Sequence, residues 1–242
     1  MHVRPVKTRV FKQGEDLIAF ICTHIKKLKE GSVLVVTSKV VALAEGAVVQ
    51  VGTSRAKEAI IRAESDWQLQ AKHGKITLRE GLLMWNAGID ESNAKGNIIL
   101  LPKDSFAAAG KIRSSLLSYY AKASKDKQKN KMKKLGVIIT DSRIMPLRAG
   151  VVGVALGYAG FKGLRDYRGK KDMFGRKLKF TQTDVADSLA TAAVLTMGEG
   201  EERQPLCIID DAPVEFAKRV NRRELVIAPK DDMYRPLFRY RE

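Results

Sequence analysis

The sequence predicts an α+β protein, with mixed sheets flanked by helices, and three observations carry that reading. Apolar runs of strand length stand at Val33–Val36, Val137–Thr140 and Leu206–Ile209. Runs with helical spacing stand among them, at Leu17–Leu28 and Asp184–Met197. The order of the two kinds is mixed, without the strict βαβ alternation of a parallel doubly wound sheet. A chain of 242 residues, 45% hydrophobic, can bury a core without disulfides and is too apolar for disorder. No domain-scale repeat is present.

Gly14, Glu15 and Asp16 open the first helix, where acidic residues complement the helix dipole. Leu17, Ile18, Ile21, Ile25 and Leu28 share one face of it, and Glu30-Gly31 closes it. Val33–Val36 is continuously apolar, as in a strand buried on both faces. It feeds Thr37-Ser38-Lys39 and a short apolar helix through Ala44. Small and basic residues at such a helix start suit phosphate, although the Walker pattern is absent. Ala47–Val51 reads as a strand and Arg55–Lys72 as one amphipathic helix. Ile76–Leu78 and Leu82–Trp85, parted by Arg79-Glu80-Gly81, read as a hairpin.

Ile98–Leu101 is a strand stopped by Pro102, and Asp104 or Ser105 can cap the following helix. Ile112, Leu116 and Tyr119 form the apolar stripe of that helix. Five glycines between Gly150 and Gly163 lack the GxGxxG spacing, which favours closely packed strands or a subunit contact over a phosphate loop. Val185, Leu189, Ala192, Ala193 and Thr196 line the last helix, with Gly198 as its C-terminal cap. The charged, apolar tail beyond Val214 has no periodicity that assigns it.

Composition narrows the function. The net charge of +17 raises nucleic acid as a partner, but Lys122–Lys134 carries seven lysines against one aspartate. That stretch has no aromatic or arginine on which bases would stack, so a solvated connection is expected and nucleic acid is disfavoured. Cys22 and Cys207 lie in apolar runs, as buried free thiols do in a reducing compartment. His2, His24 and His73 have no zinc-ligand spacing. No apolar run approaches the ~18 residues a membrane helix needs, and a cytoplasmic location is expected.

The chemistry concentrates at two places. Asn86–Asn93, Asn-Ala-Gly-Ile-Asp-Glu-Ser-Asn, follows an apolar strand and supplies the hard oxygens of Asp90 and Glu91. It reads equally as a polar turn with Asx-type hydrogen bonds. Val137–Thr140 is a strand ending at Asp141 and Ser142, a carboxylate and a hydroxyl suited to holding a divalent cation against phosphate oxygens. A third acid, Glu199, follows the last helix.

Five segments in this order, VLVVTSKVVALAEG from Val33, NAGIDESN from Asn86, VIITDS from Val137, LRDYRGKKDMFGRKLKFT from Leu164 and VADSLATAAVLTMGEG from Val185, resemble the coenzyme F420-0:L-glutamate ligase family. The likeness covers roughly residues 10 to 210. It implies GTP-dependent addition of L-glutamate to a carboxylate acceptor, coenzyme F420-0 or similar, through an acyl phosphate. It also implies two subdomains and an intertwined homodimer; residues 1–145 would carry nucleotide and metal, and 146–242 the substrate and dimer contacts that complete the metal site. The implied metal ligands are Asp90, Asp141, Ser142 and Glu199, for two Mg²⁺ or Mn²⁺ ions, with K⁺ as a further candidate. The implied nucleotide contacts are Ser38, Lys39, Asn93, Met197, Gly198 and Gly200. Arg165, Arg168 and Lys170 are expected to hold the anionic acceptor, since an arginine fork suits carboxylate and phosphate.

The chain departs from the family pattern at Leu43, often lysine; at Arg143-Ile144-Met145-Pro146, where a Gly-Arg pair is common; and at Asp210-Asp211, where Arg-Gly is common. The departures keep a folate or another carboxylate acceptor open, as well as a nucleic-acid-binding or non-catalytic relative.

Overall fold

A computed structural model describes residues 1–92, 94, 96–123 and 132–237. Twelve strands and five helices are found among them, in an α+β arrangement. In chain order they are β1 (His2–Val6), α1 (Leu17–His24), β2 (Ser32–Thr37), α2 (Ser38–Glu45), β3 (Val48–Gln50), α3 (Ser54–Ala63), β4 (Trp67–Ala71), β5 (Gly74–Arg79) and β6 (Leu82–Trp85). They continue with β7 (Asn97–Ile99), α4 (Ser105–Ala123), β8 (Leu135–Ile144), β9 (Val151–Ala159), β10 (Leu164–Asp166), β11 (Gln182–Asp184), α5 (Val185–Met197) and β12 (Leu206–Asp210).

The central sheet has the order β1-β12-β2-β8-β9. Only β2 and β8 run parallel; the other neighbours are antiparallel. The sheet takes strands from both sides of residue 145. Residues of opposite parity in β2 and β8 face opposite layers. Leu34, Val36, Val137 and Ile139 pack with α1, α2 and α4, while Val33, Val35 and Ile138 pack with α5. Burial on both faces is why these strands read as unbroken apolar runs.

The glycine-rich segment is β9, pressed between the two layers. A Cβ on Gly153 would overlap the Ala190 backbone in α5, and one on Gly157 would overlap the Ser105 backbone at the start of α4. These contacts fall on opposite sides of the strand because the register shifts between Ile139 and Thr140, leaving Leu156 as an extra residue in β9. Asp187 Oδ1 accepts from the Ala155 amide at 2.8 Å, and Asp184 caps α5 by accepting from the Asp187 amide at 2.9 Å. Burial pushes both carboxyls above the ordinary carboxylate range.

Several local expectations change. The run read as one helix over Arg55–Lys72 is α3 followed by β4, because Trp67–Ala71 pairs antiparallel with β5. Arg79 of β5 then ion-pairs with Glu64, just past α3. The β5–β6 hairpin turns on Glu80 and Gly81, both at positive φ. α1 ends at His24; Ile25 and Leu28 enter the core from the extended segment beyond it. Tyr119 is exposed, and Tyr120 completes the α4 stripe, donating to the Ile25 carbonyl at 2.6 Å. The strand expected at Ile98–Leu101 is β7, paired with β3.

The segment after β12 packs Val214, Phe216, Val220 and Leu225 against the α5 layer. Glu224 accepts from the Tyr158 hydroxyl at 2.6 Å and the Gly163 amide at 2.7 Å. No helix among the described residues is long and apolar enough to cross a membrane. The lysine-rich stretch lies outside the described residues from 124 to 131.

Candidate active site

The candidate site forms where β2 and β8, running parallel, deliver Ser38 and Asp141 to the same end of the sheet. Thr37 pairs with Thr140, so the next residue of each chain emerges beside the other. Ser38 Oγ donates to Asp141 Oδ1 at 3.1 Å. β8 does not stop at Asp141, as the apolar run alone would have it, but continues to Ile144 along β9. Asp141 and Arg143 therefore share the parity of Ile139 and face the α2 layer, whereas Ser142 faces the α5 layer. Arg143 Nη1 donates to Asp141 Oδ2. Ser142 Oγ donates to Glu199 Oε1 at 2.5 Å, on the far side of the sheet.

The Asn86–Asn93 stretch approaches Asp141 through a strained turn. Asn86, Ala87 and Gly88 all have positive φ, which a Cβ opposes at the first two. Long-range bonds hold the turn: the Ala87 amide donates to Thr77 Oγ1 at 2.8 Å, and the Lys75 amide to Asn86 Oδ1 at 2.8 Å. Gly88 itself is tightly enclosed, since a Cβ there would stand 2.7 Å from Leu101 Cδ1 and 3.1 Å from Arg143 Nη2. Asp90 then bridges backbone to backbone with Ile99.

Lys39, next to Ser38 in α2, ties that helix to the Asn86–Asn93 stretch. Its ammonium lies 2.7 Å from Asp90 Oδ2 and donates to Ser92 Oγ at 2.9 Å. Burial alone would raise the Asp90 carboxyl, but the bonds from Lys39 and Ser92 outweigh it and hold the group below its ordinary value. Glu91 pairs outward with Lys57 at 2.8 Å. Asn93 lies outside the described residues.

Met197 is buried at the end of α5, where Gly198 closes the helix at φ 80°. The Glu202 carboxylate folds back over this turn and accepts from the Gly200 amide at 2.8 Å. A Cβ on Gly198 would strike that carboxylate.

The structure thus brings Ser38 to Asp141, Lys39 to Asp90 and Ser142 to Glu199. It does not bring the three carboxylates together: among the described residues no three His, Cys, Asp or Glu side chains form a ligand cluster. The donor set is all oxygen, which fits a hard divalent cation. Two cations, Lys39 and Arg143, already neutralise Asp90 and Asp141.

Arg165, Arg168 and Lys170 lie elsewhere, on a hairpin arm formed by β10 and β11. Arg168 Nη2 donates to Asp166 Oδ2 at 2.6 Å, a pair in which both partners are exposed. Arg165 donates to the Pro213 carbonyl, and the Lys170 ammonium stands 5.2 Å from the centre of the Tyr167 ring. Asp210, one of the departures, is at the opposite end of the sheet from Asp141, beside Ser32. It accepts from Ser32 Oγ at 2.6 Å and pairs with Arg4 at 3.0 Å.

With this geometry established, comparison with known proteins is decisive. Residues 5–211 match the family model described as F420-0:Gamma-glutamyl ligase. The chain belongs to that family. Among its relatives is the coenzyme F420:L-glutamate ligase of Methanocaldococcus jannaschii, 35% identical over 91% of this chain and 84% of the relative. The protein of that name from Methanopyrus kandleri is 33% identical over 97% of this chain and 98% of the relative. The one from Archaeoglobus fulgidus is 33% identical over 83% of each. The chain is accordingly an enzyme of the ligase class.

Sequence reasoning missed the pairing role of Arg143, Lys57 and Glu202. For Arg143 a signal was present: its position two residues beyond Asp141 puts both on one face of any strand that continues through them. Glu202 had none, because its bond to Gly200 depends on how the chain folds back after α5.

Proposed function

We propose that this chain adds L-glutamate through an amide bond to a carboxylate acceptor of the coenzyme F420-0 class, with GTP as the activating co-substrate. The observation that carries this is the convergence of Ser38, Lys39, Asp90 and Asp141 from separate elements in a member of this ligase family. A carboxylate oxygen is a poor leaving group. The acceptor carboxylate attacks the γ-phosphorus, GDP departs, and an acyl phosphate forms. The amine nitrogen of glutamate, deprotonated, then attacks the acyl carbon, phosphate leaves, and the amide is complete.

Asp90, Asp141, Ser142 and Glu199 would hold the divalent ions, Mg²⁺ or Mn²⁺, with K⁺ as a further candidate. When bound, such ions neutralise phosphate oxygens. Ser38 and Lys39, at the N-terminus of α2, supply donors and positive charge for the nucleotide phosphates, and Asn93, Met197, Gly198 and Gly200 are the further nucleotide contacts that the family resemblance implies. Arg165, Arg168 and Lys170 are solvent-facing cations for the anionic acceptor. Met173, Phe174 and Phe180 on the same arm are exposed apolar side chains, which supports a homodimer that covers them. A cytoplasmic location agrees with the free buried thiols.

The test incubates the purified protein with L-glutamate, GTP or ATP, Mg²⁺ or Mn²⁺, and either F420-0 or a folate, with products read by mass. A glutamyl unit added to F420-0 in the presence of GTP is the expected result. Addition only to the folate, or only with ATP, overturns the acceptor or nucleotide assignment. No product with either acceptor overturns the activity.

A further inference from the structure

Arg143 is the residue of this site whose chemistry the proposed reaction leaves unused. Its side chain is only 10% exposed, against 25% for the Asp141 carboxylate it pairs with. Nη1 donates to Asp141 Oδ2 and to the Ser142 carbonyl, the latter at 3.2 Å. Nη2 meets Met84 Sδ at 3.7 Å, a weak acceptor, and Nε has no partner. A buried ion pair kept for structure normally has its remaining donors satisfied, because each lone donor costs free energy. This guanidinium is held by its charge on Asp141 and is otherwise loosely bonded. It also sits where the two acid-bearing stretches meet, since Gly88 of the Asn86–Asn93 turn closes over its Nη2.

We propose that Arg143 is the resident counter-cation of Asp141, occupying the side of the carboxylate that a divalent ion would take. Cation binding at Asp141 then requires the guanidinium to leave. The inference rests on the reading of Asp141 as a metal ligand given above. Arginine and metal compete for the same Oδ2. With only a sulfur contact at Nη2 and no partner at Nε, the guanidinium forfeits few hydrogen bonds on leaving. Arg143 is thus a positioning residue that tunes how tightly this chain takes its metal.

The test is Mn²⁺ affinity of the nucleotide-free protein, by electron paramagnetic resonance of free Mn²⁺ or by calorimetry. Arg143→Met places an unbranched side chain beside Met84, and Arg143→Gln keeps a similar length without the charge. Each is expected to bind Mn²⁺ about tenfold more tightly than wild type, through loss of a like charge at the same carboxylate. Arg143→Lys, which keeps the charge, should stay within about threefold. In an Asp141→Asn background the Arg143→Met substitution should change Mn²⁺ affinity no further, and a tenfold gain that persisted there would overturn competition for that carboxylate. Two results separate the failures. If Asp141→Asn alone leaves Mn²⁺ affinity at the wild-type value, the metal reading of Asp141 and this inference both fall. If Asp141→Asn weakens Mn²⁺ binding but folded Arg143→Met and Arg143→Gln proteins bind no more tightly than wild type, the counter-cation role alone is overturned.

Discussion

The Asp141 end of the central sheet and the arm over residues 164–184 both gather charged side chains, but from different distances along the chain. At the sheet end, Ser38 reaches Asp141 across 103 residues, Lys39 reaches Ser92 across 53 and Ser142 reaches Glu199 across 57. On the arm, Arg168 pairs with Asp166, two residues away. The first set exists only because buried strands and helices bring distant segments into register. The second forms on any hairpin exposed to water, where solvent screens such pairs and they add little to stability. The same contrast holds at the opposite sheet end, where Ser32 and Arg4 reach Asp210 across 178 and 206 residues. Long-range polar contacts therefore mark where the sheet orders charge, and local pairs mark where charge stays in solvent.

The largest effect is expected at Asp141. Asp141→Asn keeps one acceptor oxygen, enough for Ser38 or Arg143 but not both, and loses the charge that would bind metal. Glutamyl transfer should fall by about 100-fold or more, with the circular dichroism spectrum of the folded protein retained. Steady-state rates with F420-0 and GTP check this, and wild-type turnover would erase the distinction between the two regions.

Next is the framework that holds the sheet end. Gly157→Ala forces a methyl group into the backbone at the start of α4, so one strand or helix must move. A loss of about 2–3 kcal/mol is expected in urea unfolding. A stability equal to wild type would mean that β9 and α4 are not pressed together as described.

A smaller effect is expected at Lys39. The Asp90 carboxyl is held below its ordinary value, so the pair contributes stability above the unfolded carboxylate pKa and loses it as pH falls through the lower folded one. Lys39→Met should cost about 0.5–1 kcal/mol at pH 7, and its stability should converge on wild type as pH falls through the lowered folded pKa of Asp90. A gap that persists in acid would show that the lysine stem, and not its charge, supplies the stability.

The smallest stability change belongs to Arg168→Ala, whose Tm is expected to match wild type. Its kinetic signature is separate: the KM for the acceptor should rise several-fold while that for GTP stays constant. Varying each substrate in turn decides this, and an acceptor KM equal to wild type leaves the arm a purely solvated surface.

Much of the frame was legible in the residues. Val33–Val36, Val137–Ile139 and Leu206–Ile209 are apolar without interruption, and that alone demands strands covered on both faces. Of the two cap candidates before α4, Asp104 is the one that caps it, and Asp184, read in the sequence as the first residue of the last helix, is its cap. The glycines of β9 signalled close packing, because a residue without a Cβ, away from a phosphate-loop spacing, lets backbones approach. The Arg55–Lys72 run misled, because a helix followed by a short strand can present the same apolar positions, and only pairing with β5 separates them.

What the chain alone determined is chemical: which oxygen ligands, hydroxyls and cations are present, and that short strands and turns carry them. What the tertiary structure decided is which of them meet. Asp141 and Ser142 are adjacent in sequence, yet β8 continues through both, and the alternation of a strand sends one towards α2 and the other towards α5. Arg143 joins Asp141 for the same reason. Asp210, an acid of the same type, is carried to the opposite end of the sheet because β12 runs antiparallel to β2. Residue type is a local property, but proximity across a hundred residues is set by strand direction and register, and those are fixed only when the buried faces close together.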